Sequence, residues 1–229
     1  MSQELPAIRR DIERVSPELI AKAATFAASI LADVAGRRGT MNGRIQGVDR
    51  RMKIAGPAFT VEVRPGDNLM MHAALAQAQP GDVIVVDGKA DLTCALTGFL
   101  MVSQAKAAGL GGFVIDAAVR DTEEISESGF PVFAAGANPN GPTKGLGGRV
   151  NWPVCVGGTS VNPGDLIIGD ADGVVVIPKE TAALTIAAAQ AKLDFEQGFL
   201  ASLASGEVKN GWVSESLRSV GMLADGEAL

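Results

Sequence analysis

Apolar and polar positions follow two rhythms along this chain, and the changes of rhythm mark its elements. From Ser16, "SPELIAKAATFAASILADVAG" repeats apolar residues at helical spacing, with a hydroxyl before the first turn, Pro17 at the first helical position and Gly36 at the end; one helix is predicted there. "GPAFTVEV" alternates as a strand from Ala58 to Val63, turns at Pro65-Gly66, and gives way to helical spacing in "LMMHAALAQAQ" up to Pro80. "GDVIVVDG" reads as a short apolar strand, and "DLTCALTGFLMVSQAKAAG" as a helix closed by the glycines at 109–112. "GFVIDAAV" and "PVFAAG" are the next strands. The run "GANPNGPTKGLGG" (136–148) predicts a long, irregular and mobile loop, and 153–178 a series of short β-branched strands joined by hairpin turns. Helical spacing returns from Lys179 to about Ala204. Strands alternate first with helices and later with one another, which predicts a layered α/β domain with a partly parallel, partly antiparallel sheet. The turns "RPGDN", "QPGDV" and "NPGDL" share a Pro-Gly pair, which is turn chemistry and not a repeat of fixed period.

Composition narrows the class. With 229 residues, 47% of them hydrophobic, the chain can bury one sizeable core. Lys and Arg number 20 against 26 for Asp and Glu, and no basic cluster is interleaved with aromatics, so nucleic acid is not expected as a partner. Cys94 and Cys155 form no CxxC pattern, which points to a reducing compartment without a disulfide framework or thiolate zinc site. The first residues hold no apolar signal core, and no uncharged apolar stretch has membrane-spanning length. A cytoplasmic protein with no membrane partner is the expectation.

Several motifs fail on context. "GLGGFVID" places glycines between a helix and a strand, the reverse of the strand–glycine–helix order a dinucleotide pyrophosphate needs. "GANPNGPTKG" has two glycines at Walker spacing, but proline stands before the threonine where lysine belongs. His72 is the single histidine, which excludes a multi-histidine metal site, and on an apolar helix it reads as a packing residue. Lys89 in "DGKAD" is surrounded by acid and glycine, a poor setting for a Schiff-base lysine.

The end of "VIDAAVRD" carries more. Ligands of α/β domains gather at the carboxyl ends of strands, and there Arg120 offers a bidentate grip on a carboxylate while Asp121 offers an oxygen ligand to a hard divalent ion. Together they would suit a 2-oxo acid. Asp121 followed by Glu124 is also a capping box for the "TEEISES" turn, and spacing alone favours that structural role.

Taken as a set, "GPAFTV", "PGDNLMMHAAL", "GDVIVVDG", "ADLTCALTGFLM", "AKAAGLGGFVIDAAVRD" and "PVCVGGTSVNPGDLIIGDADGVVVIP" resemble the class II pyruvate aldolases that cleave 4-hydroxy-4-methyl-2-oxoglutarate and 4-carboxy-4-hydroxy-2-oxoadipate, a family that also contains the regulator of ribonuclease activity A. The resemblance runs from about residue 15 to 205. It implies an α-β-β-α sandwich with mixed sheets, of swivelling β/β/α type, as a single domain over 1–229. Within it, 1–36 is an N-terminal helical segment, 54–178 the α/β core, and 179–229 a C-terminal helix and tail touching a neighbouring subunit. It implies homotrimers or homohexamers with sites between subunits, and Mg²⁺ or Mn²⁺ as cofactor. By position, Arg120 matches the substrate-binding arginine and Asp121 the metal ligand; Gly98, Phe99, Leu100 and Met101 match the segment whose backbone N–H groups hold the pyruvyl carboxylate. Asn68 joins the substrate-binding set, and Glu196 matches an acidic residue that reaches a neighbour's site. Phe99 stands where the family usually has Glu or Asp, so an acid that positions water is missing.

The activity so implied is metal-dependent retro-aldol cleavage of a 4-hydroxy-2-oxo di- or tricarboxylic acid to pyruvate and a second keto acid. Oxaloacetate decarboxylation is a natural second activity, because both reactions pass through pyruvate enolate. The rival from the same family is a non-catalytic, protein-binding regulator of ribonuclease activity.

Overall fold

The computed structural model describes residues 6–207, 210–224 and 226–227. The chain opens with α1 (Pro17–Ala23), whose Ser16 hydroxyl accepts the Leu19 N–H, and α2 (Ala28–Val34), ended by Gly36 at positive φ. These two replace the one helix predicted up to Gly36. The break arises because the N-terminus of α2 is capped from far away: the Ala28 N–H donates to Asp170 Oδ2 at 2.9 Å, a partner 142 residues distant.

There follow β1 (Gln46–Gly47), β2 (Ile54–Glu62), α3 (Leu69–Leu75) and β3 (Val83–Thr97), then α4 (Phe99–Ala107), β4 (Gly112–Val119), α5 (Thr122–Ser128) and β5 (Val132–Ala137). Beyond them lie β6 (Arg149–Val150), the hairpin β7 (Val154–Val156) with β8 (Thr159–Val161), and the hairpin β9 (Leu166–Asp170) with β10 (Gly173–Ile177). The chain continues with α6 (Ala182–Ala204) and α7 (Gly211–Ser219). The main sheet runs β1-β5-β4-β3-β2-β9-β10, with β6 also on β2. Strands β2 to β5 pair in parallel, whereas β1, β6, β9 and β10 are antiparallel to their neighbours. The mixed α/β architecture and the two hairpins agree with the sequence expectation.

A second correction concerns "DLTCALT", predicted as the start of a helix and found as the second half of β3. Lys89 and Ala90 both adopt left-handed backbone (φ 60° and 56°), which kinks the strand. It then re-joins β4 out of register, at Asp91, Ala95 and Thr97. The helix begins only at Phe99. Apolar residues in this run pack on a strand neighbour that spacing alone could not reveal.

Every residue of β4 is buried, and Phe59, Ile84, Phe113, Ile115 and Phe133 are wholly enclosed in the core around it. Burial of this size is the main stabilising term for such a sheet. Two carboxylates enter the interior only with a guanidinium: Asp82 takes two hydrogen bonds from Arg14 (2.7 and 2.8 Å), and Asp116 two from Arg44 (3.0 and 2.8 Å). Because β2, β3, β4 and β5 are parallel, their carboxyl ends lie together, and that end carries the candidate site.

The described residues fall into two compact units, the first ending at Ala189 and the second starting at Gln190. In the first, Ala182, Thr185, Ile186 and Ala189 of α6 are buried. In the second, the rest of α6 exposes Phe195 and Leu200, and α7 exposes Trp212. No described helix is long and apolar enough to cross a membrane.

Candidate functional site

A cavity of about 220 Å³ opens where β3 and β4 end, α4 begins and the 136–148 loop passes over. That is below the roughly 300–1,000 Å³ of sites for drug-sized ligands, a size for a small acid and not for a nucleotide.

Asp121 lies two residues past the end of β4, in left-handed backbone (φ 56°, ψ 44°), a costly state for a residue with a Cβ and one that clusters at functional sites. The capping-box reading fails here, since the Asp121 side chain makes no cap bond to its own helix. Its Oδ2 accepts instead the backbone N–H of Phe99 at 2.9 Å, the first residue of α4. Gly98 is what permits this approach. A Cβ there would collide with Asp121 Oδ2 and come within 3.0 Å of Arg120 Cγ and Nε, although the backbone itself (φ −146°) suits any residue.

Arg120 is fixed at both sides of its strand end: its N–H donates to Thr97 O at 3.0 Å, and Asn138 N–H donates to Val119 O at 2.9 Å. The guanidinium Nε lies 3.8 Å from Asp121 Oδ2, and both side chains remain about two-fifths exposed in the pocket. The loop arches close by, for a Cβ on Gly141 would stand 2.9 Å from Arg120 Nη1.

The helix start is only partly available as an anion site. Phe99 gives its N–H to Asp121, and Met101 and Val102 give theirs to Gly98 O (3.1 and 3.2 Å). The Leu100 N–H, at the second position of a nine-residue helix, donates to no protein group among the described residues. Gly98, Leu100 and Met101 line the cavity, whereas the Phe99 ring packs against the core.

Asn68, the remaining predicted contact, lines the cavity too. Its Nδ2 donates to Leu96 O at 2.8 Å, and its buried Oδ1 has no partner. Two further wall groups are orphaned in the same way, Thr97 Oγ1 and His72 Nε2. Buried polar atoms are nearly always paired, so three exceptions among the residues lining one small cavity mark a place for water or a polar ligand. Sequence reading passed over Thr97 and took His72 for packing. The usable signal was the i, i+4 spacing of Asn68 and His72, which sets both on one face of α3. Burial, and then the nearby Lys144 charge, push the His72 imidazole below its ordinary pKa and keep it neutral.

Lys144 comes from the loop, which is anchored despite its composition. The buried Asp67 carboxylate accepts from Thr143 Oγ1 (2.7 Å), Gly145 N (2.7 Å) and Leu146 N (3.1 Å), the residues on either side of Lys144. Burial opposes ionisation of Asp67, but these donors and the Leu69 N–H outweigh it and hold its pKa down at about 2. Lys89, by contrast, bonds Asp87 (2.6 Å) and Glu62 (3.2 Å); burial works against its charge, yet these two carboxylates raise its pKa overall, so it is no activated amine.

Among the described residues no three His, Cys, Asp or Glu side chains converge as a ready-made cation cage. Asp121 is the one carboxylate on the cavity wall among them, and its second oxygen accepts no hydrogen bond. That donor set suits an ion such as Mg²⁺, which keeps water and ligand oxygens and needs only one or two protein carboxylates. Glu196 lies in the second unit, with Oε1 3.2 Å from Lys192 Nζ one helical turn away.

Relatives share this frame. A protein of Halalkalibacterium halodurans named "Putative 4-hydroxy-4-methyl-2-oxoglutarate aldolase" is 39% identical over 162 residues, covering 71% of this chain and 77% of that one. A Burkholderia mallei protein of the same name is 41% identical over 124 residues, 54% of this chain and 74% of that one. The crystal structure of Streptomyces coelicolor RraAS2, described as an unusual member of the RNase ES inhibitor RraA protein family, superimposes with a TM-score of 0.75 at 28% identity, covering 82% of this chain and 98% of the other. The family model described as "RraA-like: Aldolase/RraA" matches residues 20–176, which include the whole arrangement from Asp67 to Lys144. With its parallel-strand ends, its Arg-Asp pair and that match across most of its length, the chain belongs to the Aldolase/RraA family.

Proposed function

We propose that the protein is a divalent-metal-dependent carbon–carbon lyase that cleaves a 4-hydroxy-2-oxo di- or tricarboxylic acid to pyruvate and a second keto acid. The observation that carries this reading is the pairing of Arg120 with Asp121 at the mouth of a small cavity whose wall holds three unpartnered polar atoms.

In this reading the substrate's 1-carboxylate lies against Arg120 and the free Leu100 N–H, charge-assisted donors in a partly dry site. A Mg²⁺ or Mn²⁺ ion on Asp121 would supply Lewis-acid stabilisation of negative charge at the 2-oxygen. In cleavage a water molecule acting as base takes the proton of the 4-hydroxyl, C4 becomes a carbonyl, and the C3–C4 electron pair is left in pyruvate enolate. Arg120 contributes a positive charge beside that enolate, and the backbone that carries it is held at the strand end by Thr97 and Asn138 before the reaction starts. A proton must then return to C3. The family's usual acid is replaced by Phe99, whose ring is turned to the core, so we assign that step to water held by Glu196 from a neighbouring subunit of a homotrimer or homohexamer. The same enolate arises when oxaloacetate loses CO₂, so oxaloacetate decarboxylation accompanies the aldolase activity.

The likeness to RraAS2 supports a second reading, a non-catalytic regulator that binds a ribonuclease. One assay separates the two. Purified protein is incubated with oxaloacetate and with 4-hydroxy-4-methyl-2-oxoglutarate, with Mg²⁺ or Mn²⁺ and again with EDTA, and pyruvate is measured. Metal-dependent release supports the lyase; its absence from both substrates, with inhibition of RNase E-type cleavage, supports the regulator.

A further inference from the structure

Among the described residues the Arg120 guanidinium donates no hydrogen bond to the protein, and its one charge partner, Asp121 Oδ2, stands 3.8 Å from Nε. A long side chain so weakly paired ordinarily samples several rotamers. What limits this one is shape. Gly98 borders its stem, where a Cβ would come within 3.0 Å of Cγ and Nε, and Gly141 borders its tip, where a Cβ would stand 2.9 Å from Nη1. The guanidinium thus occupies a slot bounded by two glycines, one at the start of α4 and one in the 136–148 loop. Gly141 does not adopt left-handed backbone, so what its missing Cβ supplies is room.

The loop side of that slot is clipped in place by Asn138. Its backbone N–H donates to Val119 O (2.9 Å), on the residue before Arg120. Its Nδ2 donates to Leu92 O (2.8 Å) in the second half of β3, and its Oδ1 accepts the Asn140 N–H (2.9 Å). Asn140 closes the clip, for its carbonyl accepts the Ala95 N–H (2.9 Å) and its Nδ2 donates to Thr93 O (3.2 Å). Gly141 is the next residue, so its backbone is tied to β3 and to the end of β4.

We propose that Asn138 is a positioning residue: through Gly141 it sets the wall that keeps the Arg120 guanidinium in one orientation before a ligand arrives, with its donors left for a carboxylate. Preorganisation of this kind lowers the ordering cost of binding and of reaction. The inference rests on the lyase reading for the identity of the ligand, a 2-oxo acid whose carboxylate meets Arg120, but the slot itself is tested without turnover.

Three variants separate the slot from the loop around it. Gly141→Ala puts a methyl group against Nη1, and because that atom is the tip of a flexible side chain the fold should stay intact. Asn138→Ala removes the two side-chain bonds of the clip. Gly147→Ala lies in the same loop, has nothing within 4 Å of the new methyl group and serves as the control. The N–H resonance of Arg120 Nε, identified by its absence from Arg120→Lys, should move in the first two variants and stay in place in the third. Oxalate, a stable mimic of pyruvate enolate, is then titrated calorimetrically in the presence of Mg²⁺. Its affinity should fall at least about tenfold in Gly141→Ala and Asn138→Ala, the scale of one charge-assisted hydrogen bond, and stay within about twofold of wild type in Gly147→Ala. The denaturation midpoint of Gly141→Ala should match that of Gly147→Ala. An unmoved Arg120 resonance or an unchanged oxalate affinity in either slot variant, equal weakening in Gly147→Ala, or absence of oxalate binding by the wild type would overturn the proposal. Slot-dependent oxalate affinity in a protein that releases no pyruvate would remove the lyase reading and leave the positioning role standing; pyruvate release with an unmoved resonance would do the opposite.

Discussion

Asp121 Oδ2 and the Phe99 N–H are joined by a 2.9 Å hydrogen bond that ties the end of β4 to the start of α4. One carboxylate on the cavity wall therefore does two things: one oxygen holds the helix in place, and the other accepts no hydrogen bond among the described residues. Its left-handed backbone is the conformational cost of that placement.

The two duties separate by substitution. Asp121→Asn keeps an oxygen acceptor for Phe99 and tolerates left-handed backbone, so stability should stay within about 0.5 kcal/mol of wild type while metal-dependent pyruvate release disappears. Asp121→Ala loses the acceptor and adds backbone strain, and should be destabilised by about 1–2 kcal/mol as well as inactive. Denaturant unfolding and the pyruvate assay read the two effects, and activity in either variant would remove Asp121 from its role.

Gly98→Ala is the sharpest probe of geometry, because the new methyl group would push directly on Asp121 Oδ2 and Arg120. The backbone accepts alanine, so the protein should fold, but turnover should fall at least ~100-fold, the usual consequence of a displacement near 1 Å in a reacting site. Turnover near wild type would mean that the Arg-Asp pair does not act as positioned.

Acid should loosen the loop before it unfolds the core. Asp67 has a folded-state pKa of about 2 against an ordinary 3.8, so the unfolded state binds the proton more readily; its contribution is complete above 3.8 and is lost as pH falls through about 2. Asp67→Asn offers an amide where Thr143, Gly145 and Leu146 all donate, and should cost about 1–3 kcal/mol at neutral pH. The stability gap between wild type and variant should close across that acid interval. A gap that is constant with pH would show that the carboxylate charge does not hold the loop.

Glu196→Gln should slow turnover by about 100-fold, the scale of a lost general acid, with little change in unfolding temperature, since the residue sits half-exposed on α6. The methyl protons of pyruvate should exchange with deuterium more slowly in the same variant. Unchanged exchange would return Glu196 to an ordinary ion pair with Lys192.

Much of this architecture was legible in local pattern. The strand "GFVIDAAV", both hairpins after residue 153, the break at Gly36 and the Pro-Gly turns are dictated by neighbours a few positions away, through alternation and turn chemistry. The Arg120–Asp121 pair was visible as charge at the end of a buried run. In the same "PGD" turns lay an unread signal, for Asp67, Asp82 and Asp165 are all buried and each accepts a backbone N–H near its own turn. Read as turn residues, they concealed that Asp67 also holds a loop more than 70 residues away.

Local periodicity and turn residues, then, settled that "VIVV", "GFVIDAAV" and "PVFAAG" became strands and put a guanidinium beside a carboxylate. Three-dimensional packing settled the rest: the division of the first helix, the extension of β3 through "DLTCALT", the turning of Asp121 away from its own helix, and the meeting of Lys144, His72, Asn68 and Thr97 on one wall. Each of these depends on a partner distant in the chain, and hydrogen bonds and buried surface between distant segments leave no mark in the spacing of adjacent residues.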